Sequence, residues 1–593
     1  MSSPELNSTP THHSLSFRAA DFATLTEALD YAAQGETGAN FYTGRGAIYS
    51  VLPYRELRRD AIELAGKLSG LGLEKGARVA LVAETNPEFL RFFYACQYAG
   101  LIPVALPASV KVGAHCAYVA QLHRLLEASD AAIGVASEGY LSFLEEASQG
   151  LDMCMVAMPE AFHALPQSQQ PLPQVSPTDV SYIQYTSGST RFPRGVVIKH
   201  ETALANLQGI IEHGLEMSND DRMMSWLPFY HDMGLVGFML VPMAAQVSID
   251  YLDTREFAMR PRQWLDLMTQ SRATISFAPS FGYDLCARRV RQNDLANYDL
   301  SNWRVAGIGA EMIRPDTLDY FAELLEPCGF DRRAFLACYG MAECTLGVSF
   351  SPLWTGFTTH HIDSDHLADH HRAVLLEESD GRGRGRQFVN CGAPLPGFEV
   401  QIRDGEETVL DDWHSGVIYL RGPSVMSGYF NLPEESRHAL DEDGWLNTGD
   451  IGYQVDGVLT ITGRKKDLII IHGRNIWPQD LEHIAENEPE VRPGDAVAFS
   501  VPDHEGEELC VMLVQSRETD AKKRNNLVRR LSALMRLEMS LDCYVELVPP
   551  RSLPKTSSGK LSRAKARLDF INSHAPENLD AVAEEFRLRV ASA

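Results

Sequence analysis

Long apolar runs are missing from this sequence of 593 residues. The best candidate, Gly100-Leu-Ile-Pro-Val-Ala-Leu-Pro107, falls well short of the roughly eighteen residues that cross a bilayer, so no transmembrane segment is expected. The N-terminal stretch is polar and has no apolar core of signal length, which makes a cytoplasmic location the expectation. Positive charge is in deficit: 53 Lys and Arg stand against 79 Asp and Glu, a net charge of -26. That balance argues against a nucleic-acid partner, because a phosphate backbone rewards a basic surface. The ten cysteines, at 96, 116, 154, 286, 328, 338, 344, 391, 510 and 543, lack paired ligand spacing and read as free thiols of a reducing compartment. Histidines 360, 361, 366, 370 and 371 crowd a polar stretch without the spacing of a metal centre.

What is present starts with Tyr185-Thr-Ser-Gly-Ser-Thr190-Arg-Phe-Pro-Arg194-Gly195. Glycine allows close backbone approach, hydroxyls and amides donate hydrogen bonds, and Arg191 and Arg194 offset negative charge, a composition suited to polyphosphate. The Gly-Lys-Ser/Thr ending of a P-loop is absent. Val180 to Tyr185 reads as a strand, which would put the loop at the mouth of an α/β sheet. On composition alone, a plain Ser/Gly-rich turn fits equally well.

At this length the chain should divide into two or more domains. Pro53 to Leu71 carries Ala61, Leu64, Ala65, Leu68 and Leu71 at helical spacing; Gly76 to Ala83 reads as a buried strand and Pro87 to Ala99 as a helix. Strand signals recur at 131–135, 196–198 (before a helix at 202–211) and 273–277, implying an α/β fold with a mostly parallel sheet. From about 385 to 464 the texture changes to short strands with glycine turns, at 398–402, 415–420, 453–461 and 468–471 just beyond, as in a β-rich subdomain. Past a second break near 464, helix signals at 478–487 and 525–535 and strand signals at 495–500 and 508–515 predict a compact α+β unit over 465–593. Between 521 and 568 it holds twelve Lys and Arg against three acids, a net charge of +9. Such a run is either a solvated face or a dock for an anionic partner.

The remaining candidates are weak one by one. Trp226-Leu-Pro-Phe-Tyr-His231-Asp232-Met-Gly234 sets an imidazole beside a carboxylate among aromatics, and a buried structural histidine is the plain alternative. Gly309-Ala310-Glu311 follows an apolar run, and Tyr339-Gly340-Met-Ala-Glu343 places a carboxylate four residues after a ring; either glutamate also suits a helix cap or an ion pair. Thr448-Gly-Asp450 and Thr462-Gly-Arg464 read as two β-turns, one with a fixed anion and one with a fixed cation. Leu553-Pro-Lys-Thr-Ser-Ser-Gly559-Lys560 is a polar loop ending in a lysine.

In this order the motifs resemble the adenylate-forming superfamily, the AMP-binding or acyl-activating enzymes, over essentially the whole chain. The resemblance implies a large domain over 1–464 of layered sheets and helices and a small mobile C-terminal α+β domain over 465–593. It implies that Thr186, Ser187, Gly188, Ser189, Thr190 and Arg194 hold the phosphates of ATP, and that Gly309, Ala310, Glu311, Tyr339 and Gly340 frame the adenine. Glu343 would contact Mg²⁺, Asp450 with Arg464 would take the ribose, His231 would line the way to the substrate, Lys466 would be the hinge and Lys560 the catalytic lysine. Arg191 and Arg194 stand where relatives carry glycine and lysine, which keeps the charge and alters the contacts.

Within the superfamily the wording at 184–191, 227–237 and 467–480 is similar to that of fatty acyl-AMP ligases. The separation of Tyr339 from Gly392 leaves room for an insertion at about 352–385, which in that group disfavours a pose using coenzyme A; a disordered surface loop is the alternative. The activity implied is formation of a fatty acyl adenylate from ATP with release of pyrophosphate, then transfer to the phosphopantetheine thiol of an acyl carrier protein. No carrier-like sequence follows residue 568, so a separate, acidic carrier is expected to meet the basic 521–568 region. An acyl-CoA synthetase and a noncatalytic protein of the same fold are the alternatives.

Overall fold

The computed structural model describes residues 7–11, 15–108, 115–186, 194–377, 384–471, 474–502, 508–539, 541–555 and 561–573. Two large sheets build the first part of the chain. One has six strands in the order Met155–Ala157, Ala131–Val135, Arg78–Val82, Ile102–Leu106, Val180–Tyr185 and Gly195–Lys199. The other has nine, its middle formed by Phe335–Gly340, Val305–Ile308, Ile275–Ala278, Arg222–Ser225, Ser248–Leu252 and Gly38–Tyr42, all parallel. Strands such as Ile102–Leu106 and Ile275–Ala278 are buried along their whole length, as expected where helices cover both faces.

Helix ends fall where the local chemistry is strongest. Pro87–Ala99 starts with the Asn86 side chain accepting from the Phe89 amide at 3.0 Å and ends on Gly100 at φ 66, a capped start and a left-handed stop. It packs along Tyr54–Ser69. The strand expected at 196–198 is present but runs antiparallel to Val180–Tyr185, because the nine residues between the two strands are too few for a parallel crossover.

A four-stranded antiparallel sheet follows, from Glu399–Arg403, Gly416–Arg421, Leu446–Val455 and Val458–Arg464. Two expectations are corrected here. The run 453–461 is not one strand: Asp456 and Gly457, at φ 49 and 79, turn the chain as an Asp-Gly hairpin. Thr448-Gly-Asp450 and Thr462-Gly-Arg464 are not separate turns either, since the hairpin sets Asp450 directly opposite Arg464.

Beyond Arg464 the chain buries its own apolar clusters on the two faces of a three-stranded sheet, Ala496–Pro502, Glu508–Gln515 and Cys543–Val548. Pro478–Glu486 and Ala521–Met539 supply Leu481, Leu527 and Leu531 to one face, and Arg563–Ser573 supplies Ala566 and Phe570 to the other.

The 352–385 segment has defined structure among its described residues. Thr359–Asp363 pairs antiparallel with Gly385–Val389, and the helix Ser364–His370 lies between them in sequence. Ile362, Leu367 and Phe388 pack with Tyr453 of the four-stranded sheet. Docking on a neighbour is thus how this stretch hides apolar surface that is too sparse for a core of its own. Its polar side faces the C-terminal unit: Arg384 bonds Asp365 and reaches the Met539 sulfur. Among the described residues no helix is long and apolar enough to cross a membrane.

Candidate active site

The hairpin Leu446–Val455/Val458–Arg464 creates the most constrained point of the site. Asp450, 4% exposed, accepts from the Tyr339 hydroxyl on Oδ2 at 2.7 Å and from Arg464 Nε on Oδ1 at 2.9 Å. Thr448 orients it, its hydroxyl accepting from the Asp450 amide at 3.1 Å and donating to the Ile418 carbonyl at 2.8 Å. The Asp450 charge holds the Arg464 guanidinium above its ordinary range, while burial is the main reason the Tyr339 phenol is pushed up.

Tyr339 and Gly340 end one parallel strand, and Gly309, Ala310 and Glu311 follow the adjacent one. A β-carbon on Gly309 would sit 2.9 Å from the Cys338 sulfur, and one on Gly340 would sit 1.9 Å from the Leu346 carbonyl oxygen. Only glycine lets these backbones close up. Ala310 holds φ +68, a left-handed conformation that costs about 1 kcal/mol or more in an L-residue and clusters at functional sites. Glu311 has a structural task as well: its carboxylate accepts from the Phe281 amide at 3.0 Å, at the start of the helix Ser280–Ala287.

Of the expected phosphate loop, Thr186 and Arg194 are described, and Ser187, Gly188, Ser189, Thr190 and Arg191 lie outside the described residues. The Thr186 amide donates to the Arg194 carbonyl at 3.1 Å, closing the neck of the loop. The Arg194 guanidinium lies 5.2 Å from the ring centroid of Tyr429, whose hydroxyl donates to Glu343 Oε1 at 2.9 Å. Burial pushes the Glu343 carboxyl up, and the Tyr429 hydrogen bond pulls it partly back. Tyr429 carries no sequence signal that sets it apart, so nothing in the pattern pointed to it.

His231 caps the short helix Asp232–Leu235, its Nδ1 2.6 Å from Asp232 Oδ1. Tyr230, His231 and Asp232 line the cavity. Trp226 and Phe229 do not share that role. Trp226 stacks on Phe257 at 3.7 Å, and Phe229 stacks on Phe89 at 5.2 Å, both in the core. Of the aromatic residues in this motif, Tyr230 is the one that lines the cavity.

Asp450, Tyr339, Arg464, Glu343, Arg194 and His231 open on one cavity of about 2650 Å³. One lobe is apolar, walled by Ile210, Met223, Phe238, Phe277, Leu346 and Phe350, with the Phe238 and Phe277 rings edge to face at 5.7 Å. The C-terminal unit contributes Lys466, Lys555 and Leu561 to the same lining. Lys466 sits in the single turn Lys465–Asp467, and burial, then Arg464, pushes its ammonium down. Lys555 and Leu561 form an isolated antiparallel bridge; Lys560 lies outside the described residues. Arg563, which sequence reasoning left without a role, bonds both oxygens of Glu482 at 2.8 and 2.6 Å and reaches Asp467 at 3.2 Å.

Part of the basic character of 521–568 is paired within the chain. Arg530 pairs with Glu488 and Glu490, Arg536 with Asp542 and Lys565 with Asp569. The acids at 488, 490 and 569 lie outside the window counted and offset part of its charge. Among the described residues no group of three or more His, Cys, Asp and Glu is arranged to hold a metal.

The family described as AMP-binding enzyme matches residues 30–430. A protein of Caulobacter vibrioides named "Putative acyl-CoA synthetase" is 45% identical over 96% of this chain and 98% of its own length. JamA of Moorena producens, a medium-chain-fatty-acid--[acyl-carrier-protein] ligase, is 31% identical over 93% of this chain and 95% of its own. A structure reported under fatty acyl-adenylate ligases from E. coli and L. pneumophila superposes with TM-score 0.89 at 45% identity, covering 94% of this chain and 99% of that one. A fatty acyl-adenylate ligase from L. pneumophila in complex with acyl adenylate and pyrophosphate superposes with TM-score 0.70 at 28% identity, covering 94% and 98%.

Proposed function

The chain belongs to the AMP-binding enzyme family, and from that premise we propose that it joins a fatty carboxylate to AMP and passes the acyl group to the phosphopantetheine thiol of a separate acyl carrier protein. The observation that carries this reading is the continuity of the cavity, with an apolar lobe opening onto the polar corner of Asp450, Tyr339 and Arg464. An alkyl chain gains by leaving water for the lobe, and its carboxylate end is then directed toward the nucleotide.

Asp450 accepts one bond on each oxygen, and a carboxylate has about four acceptor sites, so each oxygen keeps room for a ribose hydroxyl. Arg194 and the neighbouring loop offset phosphate charge. A carboxylate oxygen of the fatty acid attacks the α-phosphorus, the bond to the bridging oxygen breaks, and pyrophosphate leaves. Lys560 is assigned to meet the negative charge that grows on the transferring oxygens. Glu343, a carboxylate with one oxygen held by Tyr429, suits Mg²⁺, which favours one or two carboxylates plus substrate phosphates. When bound, the ion offsets charge on the phosphates. In the second step the thiolate sulfur attacks the acyl carbonyl carbon and AMP leaves with the anhydride oxygen.

A second reading, acyl-CoA synthesis, is favoured by the name of the Caulobacter relative. The docked 352–385 segment supports the first, because it joins the large body to the C-terminal unit and so biases its pose. The test is pyrophosphate release with a panel of fatty acids, with acyl-AMP identified by mass. Fatty-acid-dependent release is expected, and its absence across the panel contradicts the proposal.

A further inference from the structure

Three carboxylates on the helix Pro478–Glu486 each meet an arginine, and two of those arginines come from across the seam. Arg314 Nη1 donates to Glu486 Oε2 at 2.9 Å, and Arg386 lies 2.6 Å from Asp480 Oδ1. Glu482, between them, is held by Arg563 of its own unit. Glu486 is the last residue of the helix and its side chain is 4% exposed. An anion there faces the negative end of the helix dipole, so helix stability does not explain it. Its other oxygen takes the Gly494 amide at 2.6 Å, which leaves Arg314 as the cation that makes the buried charge tolerable. Asp480 and Glu486 are six residues apart, about 9 Å along a helix axis. A two-point grip of that length fixes orientation, where a single contact would leave a pivot.

We propose that Arg314 and Arg386 form a latch on this helix that holds the C-terminal unit over the nucleotide corner, and that Arg314 is a positioning residue for adenylate formation. The inference rests on the proposed function and on the expectation, implied by the family resemblance, that the unit turns about Lys466. Arg314 suits the task by its place in the chain. It follows Glu311 by three residues and ends the same connection, with its amide on Ser280 Oγ at 3.3 Å, so the adenine corner and the latch share one stretch of backbone. Arg386 belongs to the strand Gly385–Val389 that pairs with the inserted segment; Arg314 does not. The latch therefore has one grip that depends on the insertion and one that does not. When the unit turns, both pairs part, and Glu486 needs solvent or another cation in the new pose. The latch favours a pose only by the difference in these contacts between the two.

The test uses the full-length protein with Arg314→Ala, Glu486→Gln, Arg314→Lys and the exchanged pair Arg314→Glu with Glu486→Arg. Either loss variant is expected to lower the rate of acyl-adenylate formation about tenfold, the effect of a tenfold shift in pose ratio. AMP affinity and fatty-acid KM should stay within about twofold, and transfer from preformed acyl adenylate to a pantetheine thiol should hold or rise. Arg314→Lys and the exchanged pair should recover most of the loss. Adenylation within twofold of the parent in both loss variants overturns the latch, as does an equal fall of both half-reactions or a fall in AMP affinity that matches the rate. A readout independent of activity is trypsin cleavage after Arg464, Lys465 or Lys466: faster cutting in the loss variants supports the latch, and parent-like cutting overturns it. If the parent makes no acyl adenylate, the proposed function fails while the proteolysis still decides the latch.

Discussion

Replacing Asp450 with alanine tests the nucleotide corner most sharply. The carboxylate is committed on both oxygens, to Tyr339 at 2.7 Å and to Arg464 at 2.9 Å, and the ribose would add one acceptor bond on each. Charge-assisted bonds contribute about 1.5 to 3 kcal/mol apiece, so the upper bound for two is about 3 to 6 kcal/mol. Water entering the gap recovers part, and a loss near 3 kcal/mol, about a hundredfold in Kd, is expected for AMP and ATP alike. Stability should fall too. The buried Tyr339 hydroxyl loses its acceptor at a cost of about 1 to 3 kcal/mol, whereas Arg464, with a side chain 52% exposed, turns to solvent at little cost. Calorimetric titration with AMP, alongside thermal melting to confirm folding, measures both. A folded variant that binds AMP within threefold of the parent refutes the reasoning.

Lys560→Ala should reduce pyrophosphate release about 10² to 10³-fold, the usual cost of a charge contact made in the transition state; release within threefold of the parent rejects the assignment, and transfer from preformed acyl adenylate should suffer much less. Glu343 has its carboxyl pushed up by burial, so the folded chain holds that proton more tightly than the unfolded one. Its contribution to stability is present in acid and is lost as pH rises through the folded value. Glu343→Gln should therefore raise the melting temperature on the neutral side while weakening the response to Mg²⁺, and a lower melting temperature there contradicts the sign. Excising 352–385 with a short glycine-containing link should keep adenylate formation and allow measurable acyl-CoA synthesis, at some cost in stability because Tyr453 and Phe388 lose their cover. A folded, adenylating variant that makes no acyl-CoA shows that another feature excludes coenzyme A.

Elements with local punctuation were legible in the sequence. Pro87–Ala99 carries its Asn cap, its proline and its terminal glycine, and it lies where its pattern placed it. The pairing of Asp450 with Arg464 was not legible, because register across a hairpin depends on where the turn falls, and the Asp456-Gly457 turn sits inside an apolar run that reads as continuous. Trp226 and Phe229 belong to the same motif as His231 but point into the core, a choice made by packing against Phe257 and Phe89. The +9 window counts charge along the chain, whereas ion pairing is set in space: Glu488 and Glu490 lie about forty residues before Arg530, with which they pair. The cross-seam pairs of Arg314 and Arg386 escaped notice for the same reason, since neither arginine sits within a motif.

The proposed function turns on which thiol receives the acyl group. The direct measurement supplies the parent enzyme with ATP, Mg²⁺ and its preferred fatty acid, together with equal concentrations of coenzyme A and a phosphopantetheinylated acyl carrier protein, and follows both thioesters by mass. The expected result is carrier loading at least about tenfold faster than acyl-CoA formation, which a difference of about 1.4 kcal/mol in barrier height produces. Acyl-CoA formed as fast as the loaded carrier contradicts the claim and makes the protein an acyl-CoA synthetase.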